Sequence, residues 1–272
     1  MLGRDLQSAL SDHHVLALGR GDLDVGDADA VSLAVRGVDV VINAAAYTNV
    51  DAAETNESEA FHVNAVGTSN LAKAAAEHDA RLVTVSTDYV FDGNATTPYS
   101  EDAPYAPISA YGRTKAAGER LALAAHPGGT FVVRTAWLYG EHGSNFAKTM
   151  LALASSKETW SVVDDQVGQP TWTGDLAAQI VKLIEHDVRP GVYHGTNSGQ
   201  ASWFDFAREI LRVAGLDPER ITPTTSAAFQ RPAPRPSYSV LGHEAWRRVG
   251  LDPMRDWREA LHASGVARVD HG

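Results

Sequence analysis

Tyr111 and Lys115, in "SAYGRTKAAGERLA", stand four residues apart. On a helix they share one face. Upstream, "VTVSTDYVFDG" puts the hydroxyls of Ser86 and Thr87 at the carboxyl end of an apolar run. A hydroxyl, a phenol and an ammonium converging at a strand end could reduce a ketone. The phenol can give a proton to a developing alkoxide, and its ordinary pKa of ~10 calls for help at neutral pH. A nearby ammonium favours the phenolate. The Thr87 hydroxyl can hold the carbonyl oxygen. Taken alone, Tyr-x-x-x-Lys is as readily a chance surface pair. The strand-end hydroxyls upstream favour the chemical reading.

These side chains need a scaffold, and the sequence supplies its pattern. Apolar runs stand at 15–19 (VLALG), 38–44 (VDVVINA), 81–86 (RLVTVS), 130–137 (TFVVRTAW), 160–165 (WSVVDD) and 191–196 (GVYHGT). They are continuous rather than alternating, as strands covered on both faces are. Ala-rich stretches of helical length, such as "ESEAFHVNAVGTSNLAKAAAEH", lie between several of them. That alternation predicts an α/β fold with a doubly wound parallel sheet, in which ligands bind at the carboxyl ends of the strands. Past residue 146 the pattern loosens, and prolines gather in "PTTSAAFQRPAPRP" (223–236). The reading is a dinucleotide-binding domain over 1–146, with segments around 160–200 returning to it, and a smaller α/β substrate domain over 147–272.

Composition narrows the function classes. The chain has 272 residues, 44% hydrophobic and 21% charged, with a net charge of −11 and no cysteine. The acidic balance argues against nucleic acid, and the lack of cysteine removes disulfide and thiolate chemistry. No apolar run approaches the ~18 residues of a membrane span. The first residues carry acids and no signal-type apolar stretch, so the cytoplasm is the expected compartment.

The Thr87, Tyr111 and Lys115 set resembles the extended short-chain dehydrogenase/reductases. The finer resemblance is to their dTDP-4-dehydrorhamnose reductase branch. It rests on "NAAAYTNVDAAE" (43–54), "STDYVFDG" (86–93), "YGRTKAAGE" (111–119), "RTAWLYG" (134–140), "VVDDQVGQPTWTGDLA" (162–177), "GVYHGTNSGQASWFDFA" (191–207) and "RPAPRPSYSVL" (231–241). These run in the family's order along nearly the whole chain. The general reductase motifs are moderately specific; "DQVGQPT" and "RPAPRPSYSVL" are much more so.

The resemblance implies a Rossmann-like fold and NADPH-dependent reduction of the C4 ketone of dTDP-4-dehydro-L-rhamnose to dTDP-L-rhamnose, with NADH as the alternative cofactor. It makes Tyr111 the proton donor and Lys115 the residue that binds the nicotinamide ribose and lowers the tyrosine pKa. Thr87 orients the substrate carbonyl, and Asp88 and Trp137 contact the substrate. Ala46, Tyr47, Thr48 and Val85 line the cofactor, and Asp24 and Val25 match its adenine side. Arg20, where an acid would read NAD, suits a 2′-phosphate and tilts the expectation to NADPH. Its alternative role is a solvated turn residue. Gln169 and Thr171 are expected to face the nucleotide or to shape its pocket. Arg231 and Arg235 could clamp a diphosphate, or belong to a solvated loop.

The family opens with an apolar strand and a Gly-x-x-Gly-x-x-Gly turn, whose last glycine Gly3 matches. The expectation is that the natural product starts upstream of Met1, or else that the chain folds poorly and binds NADPH weakly. Magnesium occurs in this family near the subunit contact. Asp5 falls where an acid might serve, with no full metal site assignable. A homodimer is compatible with the resemblance. Asp22, Asp24, Asp27 and Asp29 fit a turn and helix N-terminus better than a calcium loop, and His194 fits a satisfied core histidine. Two other functions fit the same fold. One is a non-catalytic regulatory subunit like the beta subunit of methionine adenosyltransferase. The other is a reductase or epimerase for another nucleotide sugar.

Overall fold

The computed structural model describes residues 1–267. Its longer strands are β1 (Val40–Asn43), β2 (Arg81–Thr87), β3 (Thr130–Thr135), β4 (Trp160–Val163), β5 (Gly191–His194) and β6 (Ile221–Thr224). Strands β1, β2, β3 and β5 join in that order into one parallel sheet. Strands β4 and β6 pair in parallel as a separate ribbon.

The longer helices are α1 (Leu2–Ala9), α2 (Ala28–Val35), α3 (Thr68–Glu77), α4 (Ala110–Ala125), α5 (Phe146–Ser156), α6 (Thr173–Glu185), α7 (Trp203–Val213) and α8 (Trp257–Ser264). Successive strand residues point to opposite faces, and both faces are covered. Leu82 packs into a layer with Val31 and Val35 of α2, Leu71 and Ala75 of α3 and Ala122 of α4. Its neighbour Val83 packs with Leu2 and Leu6 of α1 and with Leu176, Ile180 and Leu183 of α6. A second apolar cluster gathers Trp160, Phe206, Ile210, Trp257 and Leu261 from β4, α7 and α8. This is the α/β doubly wound, Rossmann-like architecture that the alternation predicts.

Two sequence expectations need correction. No strand forms over 15–19. Val15, Leu16 and Leu18 there are 41%, 63% and 43% exposed. An apolar run becomes a strand only where a neighbouring strand takes its N–H and C=O groups, and none of the described strands does so. The second concerns the helical stretch after Glu57. It is helical, but a π turn over His62–Gly67 separates the short helix Glu57–Phe61 from α3. Such turns bulge the backbone locally and often mark functional sites.

Helix α4 sits unusually close to its neighbours, and two glycines allow it. A Cβ at Gly112 would lie 2.2 Å from the Tyr89 carbonyl oxygen, and one at Gly118 would lie 2.2 Å from that of Asn64. Both obstacles are backbone, so neither can rotate away. Among the described residues no helix is long and apolar enough to cross a membrane. A Gly118→Ala variant is expected to lose ~2–3 kcal/mol of stability through this clash, read as a lower urea midpoint with an unchanged slope. Wild-type stability would show that the π turn yields to the methyl group.

Candidate active site

The site forms where α4 begins, beside the carboxyl end of β2. Ser109 caps α4, its side chain accepting from the Gly112 N–H at 3.1 Å. Glu54 takes the Ala110 N–H at 2.8 Å. Two otherwise unpaired donors of the first turn are thereby satisfied. The cap fixes the register of the helix, and with it the face shared by Tyr111 and Lys115.

Thr87 ends β2. Its hydroxyl accepts from the Tyr89 N–H at 3.2 Å and donates to Asp88 Oδ1 at 3.0 Å. Tyr111 is half-buried, edge-on to Tyr89 with ring centroids 5.8 Å apart, and packs, as Tyr47 does, against the cluster of Ala53, Ala60 and Ala110. Burial pushes the Tyr111 phenol up to about 12, with the Thr87 hydroxyl acting against that rise and the Asp88 charge adding to it. Lys115 is 4% exposed, and its Nζ donates to the Val85 carbonyl at 2.6 Å. Burial draws its pKa down to about 8, with Glu119 opposing.

This electrostatic arrangement departs from the sequence expectation. The ammonium was expected to lower the tyrosine pKa. Here it faces the β2 backbone, and the groups that move Tyr111 are its own burial, Thr87 and Asp88. The phenol therefore holds its proton throughout the neutral range.

The structure brings Thr87, Asp88, Val85, Tyr111 and Lys115 together. Ala46, Tyr47 and Thr48 lie just past the end of β1, after Ala44 and Ala45, and Asn64 of the π turn fastens Tyr47. Its Oδ1 accepts from the Tyr47 N–H at 2.9 Å and its amide donates to Thr114 Oγ1 at 3.0 Å. Asp24 and Val25 sit on a turn that Asn70 holds, donating to the Val25 and Gly26 carbonyls at 3.1 Å each. Donors that a nicotinamide ribose could use are present: the Lys115 ammonium lies on the Val85 carbonyl near the end of β2, the Tyr111 phenol stands beside Thr87, and Ala44 and Ala45 are exposed after β1.

Other expected residues lie differently. Arg20 projects into solvent, 88% exposed, and only approaches Glu59 at 3.9 Å. Gly3 is exposed in the first turn of α1, clear of any neighbour a Cβ would meet. Gln169 is buried, and its amide is committed: it accepts from the Leu241 N–H at 2.8 Å and donates to the Leu241 carbonyl at 3.2 Å. It clamps the chain's own backbone rather than facing a nucleotide. Arg235 pairs with both oxygens of Asp51, at 3.1 and 3.0 Å, while Arg231 stays exposed, 3.9 Å from the same carboxylate. Trp137 has a left-handed φ of 46° and stacks on Trp203 at 3.5 Å. Among the described residues no group of three or more His, Asp or Glu side chains could hold a metal ion. The magnesium expectation finds no site there.

The residues behind the site were the least visible in the sequence. Arg134 and Glu119 form an ion pair in which each side chain is 1% exposed. A readable signal existed: an arginine inside the apolar run "TFVVRTAW" needs a buried partner.

The family model described as the RmlD substrate binding domain matches residues 1–268. A "Probable dTDP-4,6-dihydroxy-2-methyloxan-3-one 4-ketoreductase" of Streptomyces antibioticus is 52% identical, over 96% of this chain and 90% of that protein. A "dTDP-4-dehydrorhamnose reductase" of Mycolicibacterium smegmatis is 50% identical, over 99% and 83%. Among solved structures, a dTDP-4-dehydrorhamnose reductase of Bacillus anthracis in complex with NADP superimposes with a TM-score of 0.93 at 38% identity, covering 97% of this chain and 95% of that one.

Asp88 makes the site's cost measurable. It is 2% exposed, and its Oδ2 has no hydrogen-bond partner. Burial pushes its carboxyl up to about 6, against the pull of the Ser239 and Thr87 hydroxyls. Unfolded, it would titrate at ~3.9. Below ~4 both states are protonated and the group contributes nothing. As pH rises, the unfolded chain ionises first, so folding stability falls until pH 6 and the loss is complete above it. Two pH units correspond to about 3 kcal/mol as an upper figure. Asp88→Asn is expected to raise thermal stability at pH 8, with the gain vanishing by pH 4. A gain equal at both pH values would refute the ionisation account.

Proposed function

We propose, from the premise that this chain belongs to the RmlD family of dTDP-4-dehydrorhamnose reductases, that it reduces the C4 ketone of dTDP-4-dehydro-L-rhamnose to dTDP-L-rhamnose with NADPH. The family's enzymes are oxidoreductases acting on a CH–OH group, and this chain is one of them. The observation that carries the finer reading is that Tyr111 meets Thr87 at the end of β2 while Lys115, one turn along the same helix, holds the Val85 carbonyl of that strand.

When bound, the nicotinamide supplies the hydride. The chain supplies the proton and the positioning. The Tyr111 O–H gives its proton to the carbonyl oxygen as negative charge develops there. A phenol held protonated at neutral pH is the form that reduction requires. The Thr87 hydroxyl, fixed in place by its cap contact, would offer a second hydrogen bond to the same oxygen on turning its proton from Asp88 to the substrate. The Lys115 ammonium provides the positive charge for the cofactor ribose and for the phenolate left after transfer. Ala46 to Thr48 and Val85 would line the cofactor, and Asp24 and Val25 would meet its adenine side. Arg20, exposed and weakly paired, is free to reach a 2′-phosphate, which supports NADPH over NADH. Asp88 and Trp137 would contact the sugar.

One observation favours a second substrate: two relatives, at 52% and 48% identity, are named for other dTDP-ketosugars. Both readings use the same chemistry. A Tyr111→Phe variant is expected to lose ~100-fold or more of ketone-dependent NADPH oxidation while still binding NADPH, followed by cofactor titration and turnover on both ketosugars. Unchanged background oxidation in both proteins would refute catalysis and favour a binding or regulatory role.

A further inference from the structure

We propose that Glu119 is a positioning residue for this reaction, its buried carboxylate setting Lys115 and Thr87 relative to one another. The inference rests on the reading of Tyr111, Lys115 and Thr87 as the reducing machinery. Glu119 lies one helical turn beyond Lys115 on α4 and is 2% exposed. It accepts hydrogen bonds from three other parts of the chain. Ser86 Oγ, next to Thr87 on β2, donates to Oε1. Arg134 of β3 donates through Nε to both oxygens at 3.1 Å and through Nη2 to Oε2 at 2.8 Å. The Tyr105 hydroxyl donates to Oε2 at 2.9 Å. Lys115 Nζ meets the carbonyl of Val85, the residue before Ser86. One carboxylate thus ties the strand carrying Thr87 to the helix carrying Lys115.

A pair serving stability alone would need only Arg134 and Glu119, and apolar residues often replace such pairs without loss. Here the carboxylate also borders the closely packed junction of Asn64, Thr68, Thr84, Val85, Ser86 and Lys115. Tyr111 lies on the lysine's own helix face. β2 presents Thr84, the Val85 carbonyl and Ser86, and the segment before and within α3 presents Asn64 and Thr68. All of these are neutral at pH 7, so Glu119 is the full negative charge on that side. Arg134 and Tyr105 face Glu119 from its other side, and Asp88 acts on Tyr111. The Glu119 charge favours the ammonium form of Lys115 against the burial that disfavours it.

The test compares wild type with Glu119→Gln, Glu119→Asp and the double variant Glu119→Gln/Arg134→Gln, which leaves no lone buried charge if the single change prevents folding. NADPH affinity and ketone-dependent turnover are each followed from pH 6 to 10. Folded variants lacking the charge are expected to lose NADPH affinity and turnover at a pH roughly one unit lower than wild type. At pH 8 their kcat should fall ~10-fold, with KM for the ketosugar within ~3-fold. Glu119→Asp should restore the alkaline limb. A folded double variant whose profiles superimpose on wild type overturns the proposal. Shifted NADPH profiles in proteins that reduce no dTDP-ketosugar would sink the substrate reading and uphold the role of Glu119. No NADPH binding by wild type overturns both.

Discussion

The fold depends on satisfying one arginine. Arg134 occupies a strand position buried on both sides, where an unpaired guanidinium would cost several kcal/mol in lost hydration. Every part of its head group is engaged. Nε and Nη2 bond Glu119, and Nη1 donates to the Glu101 carbonyl at 3.1 Å. The rings of Phe91 and Tyr105 lie 5.1 Å from its carbon centre. His194 of β5 sits 3.4 Å from Nη1, and burial together with the Arg134 charge holds it neutral. Neutral is the state it needs, since its Nε2 then accepts from Arg134 Nη1 while its Nδ1–H donates to the Gly242 carbonyl at 2.8 Å. Arg134 thereby links β3 to α4, to the segment around Glu101 and to β5.

The segments after β5 are held by a comparable economy of polar groups. Gln169 grips both backbone groups of Leu241, and the same Oε1 accepts from Thr196 at 2.9 Å. Asp51, in the short helix after β1, takes the Arg235 fork and the Ala233 N–H. The proline-rich stretch of 223–236 is thus tethered at its far end to the cofactor side of the sheet. Trp137 has its left-handed backbone stabilised by the Trp203 stack and by Gly168, where a Cβ would meet the indole at 2.7 Å. Such a conformation persists only where its surroundings over-determine it.

Local features were legible in the sequence, and distant ones were not. The runs at 81–86, 130–137 and 191–196 carry enough Val, Leu and Ile to read as buried strands, and Ser109 before "AYGRTK" reads as a cap. Those two signals sufficed to place Tyr111, Lys115 and Thr87 at one strand end. The run at 15–19 has the same composition as true strands, but strand formation is a property of a pair, and composition does not name the partner. The π turn at 62–67 lies where α4 brings its Gly118 against the Asn64 carbonyl, a contact between residues 54 apart in sequence. The commitments of Gln169 and Arg235 are likewise long-range. Motif resemblance identifies such residues as important without saying whether they touch substrate or backbone.

The order of proton affinities in the site explains why its electrostatic cost persists. Asp88 titrates at about 6, Lys115 at about 8 and Tyr111 at about 12. Between pH 6 and 8 the site therefore holds a carboxylate, an ammonium and a neutral phenol. Burial chiefly raises the phenol's pKa, and the Asp88 charge adds to that rise, so the group that destabilises the fold also reinforces the acid form of Tyr111. A neutral Asn would relieve the fold and weaken that hold on the proton. Lys115 is the balancing charge. It does not stabilise phenolate while its Nζ remains on the Val85 carbonyl, but it can once the proton has gone and negative charge appears on the ring oxygen. Stabilisation that arises with the developing charge lowers the barrier, whereas stabilisation already present in the resting site would only ionise the acid prematurely.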